Sequence, residues 1–103
     1  MLSQNANMTV FLILDHMGRD YNSVNCSSTA TRNGLTQFEY YSEIEKVANS
    51  MGIPVIREYA ESQICENTPQ YLYDNIHCNA LGAKQSANFI WSRMKTYFPN
   101  AVQ

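Results

Sequence analysis

The chain has 103 residues, a formal net charge of −2 and a pI near 5.5. Hydrophobic residues make up 45% and aromatic residues 12%, which is enough for a packed core, while charged residues are only 16%. Those figures exclude wholesale disorder, and an acidic balance without a Lys/Arg cluster excludes both general nucleic-acid binding and an electrostatic membrane footprint.

The length suits one domain at most. The longest apolar run, 10–14, is far shorter than the ~20 residues that span a bilayer, and the first residues lack the basic start, long apolar stretch and cleavage site of a signal peptide. No compartment follows from this. The cysteines are Cys26, Cys65 and Cys78; one disulfide plus a thiol and three free thiols are both open, and a bridge between Cys65 and Cys78 is one candidate. With no Cys-x-x-Cys pair there is no zinc signature.

In chain order, residues 1–7 are polar and Asn-rich and read as a frayed start or a turn. Residues 9–14, apolar and rich in branched side chains, predict a strand buried on both faces, hence parallel-sheet material. Asp15 and His16 fall at its carboxyl end, where open α/β sheets bind ligands; the plainer role for His16 is a strand-end side chain satisfied by backbone groups. Residues 17–35, with Gly18, Asn22, Asn25, Asn33 and Gly34, read as a long polar loop. Thr36 then opens a helix, with Glu39 completing a capping box, and Tyr41, Ile44, Ala48 and Met51 predict its buried stripe. Gly52 caps it and Pro54 prevents continuation. A second short strand over 53–56 makes a βαβ unit.

Residues 57–79 read as irregular. Ala83, Ala87, Ile90, Met94 and Tyr97 predict an amphipathic helix packed by one face and ended by Pro99-Asn100. Two strands with two helices make a marginal sheet, so the chain reads as part of a fold whose open strand edge invites pairing.

Asp74 and His77 stand three residues apart ahead of that last helix. Such spacing lets a carboxylate fix the tautomer of an imidazole and stabilise its cation, as a general-base histidine requires. The alternative is that Asp74 or Asn79 caps the helix and His77 is an ordinary surface residue. Tyr71 and Tyr73 can flank a substrate or simply pack. Cys78, beside His77, is a nucleophile only if its pKa is lowered. A metal set of Asp15, His16, Asp74 and His77 has suitable donors but no diagnostic spacing.

The run Asp74-Asn75-Ile76-His77-Cys78-Asn79-Ala80-Leu81-Gly82 resembles the last conserved block of the SGNH (GDSL-type) hydrolases, Asp-Gly-x-His-Pro-Asn-x-x-Gly. Asp74, His77, Asn79 and Gly82 match position by position, and Cys78 replaces the usual proline. The likeness extends over about residues 8–98, including the Gly-Ile-Pro-Val-Ile strand at 52–56. It implies an α/β fold, part of a flavodoxin-like three-layer α/β/α arrangement, with residues 1–103 as a single domain forming the C-terminal portion of the hydrolase. It implies His77 as general base and Asp74 as its partner; His16 and Asp15 at the strand end, and Tyr73 and Asn79 in and beside the block, are the candidates to line the substrate site. The substrate would be an acyl ester, including carbohydrate acetyl esters, with no cofactor or metal and no nucleic-acid or membrane partner.

The family's Gly-Asp-Ser block and its oxyanion Gly and Asn blocks are not found in this sequence. Met17-Gly18-Arg19-Asp20 is only faintly similar to the Gly-x-Asn-Asp block and reads as a loop. The chain is therefore expected to be inactive alone and to be completed by a second chain or by self-association. The competing expectation is a non-catalytic α/β interaction module that assembles with itself or with a larger protein.

Overall fold

The structure is a computed structural model that describes residues 10–100. In chain order these form β1 (Leu12–Leu14), a hairpin of β2 (Thr31–Arg32) and β3 (Leu35–Thr36), α1 (Gln37–Ser50), β4 (Val55–Arg57), α2 (Glu58–Glu61), a turn of 3-10 helix (Pro69–Tyr71) and α3 (Ala80–Tyr97). It is a mixed α/β protein with three α-helices and two two-stranded sheets among the described residues. Strands β1 and β4 pair in parallel, Leu12 opposite Val55 and Leu14 opposite Arg57, with α1 in the connection between them.

The ends of α1 follow from local chemistry. Thr36 Oγ1 accepts the Glu39 N–H at 3.2 Å and Glu39 Oε1 accepts the Thr36 N–H at 3.0 Å, so two orphan donors are satisfied reciprocally. At the other end Gly52, at φ +70°, donates to the Asn49 carbonyl, and Ile53 donates to the Ala48 carbonyl at 2.9 Å. That is a Schellman closure, which needs the left-handed conformation glycine adopts without strain.

Several expectations change. The part of the first strand at Thr9, like the start at 1–7, lies outside the described residues, and the strand itself is covered on one side only: Leu14 is buried but Ile13 is 41% exposed. The loop over 17–35 contains the β2–β3 hairpin, closed by Asn33 and Gly34 at φ +54° and +84°. An Asn-Gly pair with both residues at positive φ is the turn that matches strand twist. Within 57–79, α2 and the 3-10 turn are ordered elements.

The inward face of α1 keeps only Tyr41 and Ala48 of the expected stripe. Phe38, Tyr41 and Ala48 pack with Leu14, Met17, Cys26, Val55 and Tyr59, whereas Ile44, Val47 and Met51 are exposed. The roll is set by tertiary bonds: Glu45 Oε1 accepts from Arg57 Nε at 2.9 Å and from the Tyr59 hydroxyl at 2.6 Å. Phe38 and Tyr41 then stand edge-on to the Tyr59 ring, at 4.9 and 5.5 Å between centroids, a favoured aromatic geometry. On α3, likewise, Ala83 and Ala87 are exposed, and Gly82 and Ser86 turn inward. Ser86 donates to Glu58 Oε1 at 2.5 Å and Gln85 Nε2 donates to the Ser62 carbonyl at 2.8 Å. Polar anchors thus choose the face.

Candidate active site

The segment between the 3-10 turn and α3 is a closed loop. Leu72 bridges Cys78 in antiparallel fashion, Tyr73 N–H donates to the His77 carbonyl at 3.0 Å, and Asn79 N–H donates to the Tyr71 carbonyl at 2.9 Å. Inside it, Asp74 Oδ1 accepts the N–H groups of Ile76 at 2.8 Å and His77 at 2.6 Å, while Asp74 Oδ2 accepts from His77 Nδ1 at 2.8 Å. One carboxylate therefore orders both the backbone of the turn and the ring it carries.

The donors around Asp74 favour its charged form. The His77 and Ile76 N–H groups, followed by the His77 ring, lower its pKa to about 2. With Nδ1 committed to a carboxylate, Nε2 is the nitrogen left to take a proton, and the His77 side chain is 66% exposed. The Tyr73 ring stacks on the imidazole, with centroids 5.7 Å apart and planes inclined by 22°.

Beside His77 lies a cleft of about 420 Å³, walled by Arg19, Asp20 and Tyr21 on one side and the turn 74–77 on the other. The two walls are stitched together: Arg19 N–H donates to the Asn75 carbonyl at 2.7 Å, and Asn75 Nδ2 donates to the Asp20 carbonyl at 2.9 Å. Gly18 lets them approach, because a Cβ there would lie 2.6 Å from the Asn75 oxygen. The segment 18–21, read from sequence as a loop, is thus one wall of the candidate site. Its signals in the sequence are Gly18 beside the charged pair Arg19-Asp20 and the faint likeness to the Gly-x-Asn-Asp block. A second cavity of about 460 Å³ shares Asp20 and Tyr21 and runs along the β2–β3 hairpin, but it contains no histidine.

The other expected site residues are placed differently. Asn79 is the N-cap of α3, its Oδ1 accepting from Gly82 N–H at 2.9 Å and its Nδ2 donating to the Gln70 carbonyl at 2.8 Å. Its polar atoms are spent on backbone, so the helix-cap role replaces the substrate-lining one. Asp15 and His16 are not in the cleft wall. The His16 side chain is only 12% exposed, with Nδ1 2.9 Å from Asp15 Oδ1 and Nε2 2.6 Å from the Ile76 carbonyl oxygen.

Cys78 Sγ lies 3.9 Å from both ring nitrogens of His16. Burial, then the Glu58 and Asp15 carboxylates, push its thiol pKa up, so it is not an activated nucleophile. Cys26, Cys65 and Cys78 are all free. Among the described residues no group of three or more His, Cys, Asp or Glu side chains is arranged to hold a metal ion, so the metal set is not assembled. No helix among them is long and apolar enough to cross a membrane.

No protein-family model, curated protein or solved structure matches the chain.

Proposed function

We propose that the chain is the base-supplying part of a serine ester hydrolase of SGNH type, within a flavodoxin-like three-layer fold completed by residues outside this sequence. The observation that carries this reading is the Asp74–His77 pair, joined at 2.8 Å with the imidazole open beside a cleft. In the reaction, His77 Nε2 takes the proton of a serine hydroxyl as it attacks the ester carbonyl. The imidazolium, held by Asp74, then returns that proton to the departing alcohol. Water repeats the cycle on the acyl-enzyme. Acyl esters, carbohydrate acetyl esters among them, are the substrate class that the sequence resemblance implies.

The test begins with the coding sequence upstream of this chain. If it carries a Gly-Asp-Ser block, the joined protein is expected to hydrolyse p-nitrophenyl acetate, with His77→Ala reducing the rate by ~10²–10⁴-fold. Undiminished hydrolysis by His77→Ala would overturn the assignment.

A second reading is favoured by one observation. Ile44, Val47 and Met51 leave an exposed apolar face on α1, and Ile13 is exposed on β1, which suits a non-catalytic module that assembles with itself or with a larger protein. Absence of a nucleophile-bearing segment upstream, together with stable self-association, would select it.

A further inference from the structure

We propose that His16 is the positioning residue of the His77 turn, a two-pronged cationic brace that fastens the Ile76 carbonyl to the end of β1. The proposal rests on His77 being the working base.

The geometry dictates the protonation state of the brace. Nδ1 faces Asp15 Oδ1 at 2.9 Å, and Nε2 faces the Ile76 carbonyl oxygen at 2.6 Å. A carbonyl and a carboxylate both accept, so each ring nitrogen must donate, and only the imidazolium has two N–H groups. Bonds from a charged donor are the stronger kind, and this one lies under cover at 12% side-chain exposure. Ile76 is the residue before His77, and its own N–H is held by Asp74 Oδ1. The turn is thus held from within by Asp74 and from the end of β1 by His16.

The titratable groups facing the brace are Asp15 next to it, Glu58 from α2 and Cys78 from the turn before α3. The Asp15 hydrogen bond raises the His16 pKa against the opposing effect of burial, and the Ile76 carbonyl and the Glu58 charge add to the rise. A raised histidine pKa means that the brace is fully formed below the ordinary imidazole value and is lost as pH rises through the folded-state value. Neutral His16 keeps one N–H and must release either Asp15 or Ile76. Releasing Ile76 frees the turn, so the hold of Asp74 on His77 should loosen when His16 titrates.

The experiment is a pH titration of the full chain, uniformly ¹⁵N-labelled, followed by NMR of the His16 imidazole and of the His77 backbone amide, which Asp74 Oδ1 holds at 2.6 Å. In the unaltered protein, His16 should lose its second N–H with a midpoint above the ordinary imidazole value. The His77 amide, protected from exchange below that midpoint, should lose its protection as His16 loses its proton. In His16→Gln, whose amide donates without titrating, that step should disappear while the protection stays; in His16→Leu, the protection should be absent at every pH. A His77 amide indifferent to His16 titration in the unaltered protein, where no variant has to fold, would overturn the proposal. So would a His16 midpoint at or below the ordinary imidazole value. Because these readouts need no ester cleavage, lack of hydrolysis by the completed enzyme would fail the esterase assignment while leaving the brace intact.

Discussion

Asp74 holds His77 at two points, taking its backbone N–H on one carboxylate oxygen at 2.6 Å and its ring Nδ1 on the other at 2.8 Å. The carboxylate is therefore a turn residue and a tautomer-setting residue at once. A substitution there disturbs the backbone as well as the chemistry, and the two effects separate by pH.

Because the Asp74 pKa falls to about 2 in the folded chain from about 3.9 in an unstructured one, its contribution to stability is present above the unfolded value. It is lost as pH drops from about 4 toward 2. Asp74→Asn should therefore melt below the unaltered protein at pH 6–7, and the gap should close as both are acidified. Thermal melts across that range check this; a gap constant with pH would show that the charge contributes nothing.

Gly82→Ala tests the seat of the turn on α3. Inside a helix, Ala is normally about 1 kcal/mol better than Gly. Here a Cβ would run into the Tyr71 carbonyl oxygen, which also receives the Asn79 N–H. Overpacking against backbone is expected to win, with a net destabilisation of about 1–3 kcal/mol. Denaturant unfolding measures it, and a stabilised variant would refute the close packing.

Asn79 separates capping from substrate contact. Asn79→Ala removes the bond to Gly82 N–H and should cost about 1 kcal/mol of stability. Asn79→Asp keeps that acceptor but loses the donation to the Gln70 carbonyl, so it should recover most of the loss. Equal destabilisation by the two substitutions would contradict the cap.

The exposed face of α1 yields a prediction about assembly. Light scattering is expected to find a species heavier than the 11.8 kDa chain, and Val47→Lys with Met51→Lys should shift it toward the monomer. A monodisperse monomer with a sharp melt would show that the chain completes its own core.

How much was legible beforehand depends on the range of the interaction concerned. The capping box at Thr36 and the closure at Gly52 were readable because side chains within a few residues decide them, and the parallel strands around α1 were readable from the two apolar runs that flank a helix. The Asp74–His77 pair was readable for the same reason: three residues in a turn keep a carboxylate within reach of a ring. The Asn33-Gly34 turn carries an equally local signal, although it stands within what the sequence presents as a polar loop. What lay beyond the sequence was the facing of the helices and the back of the site. Periodicity allows several apolar faces on α1; it took Glu45 meeting Arg57 and Tyr59 from across the fold to turn Ile44 and Met51 outward. The distant bonds at the site are of this kind: His16 reaches Ile76 and Arg19 reaches Asn75 across most of the chain. A backbone carbonyl carries no signature in a sequence, so only the tertiary structure decides which side chain finds it.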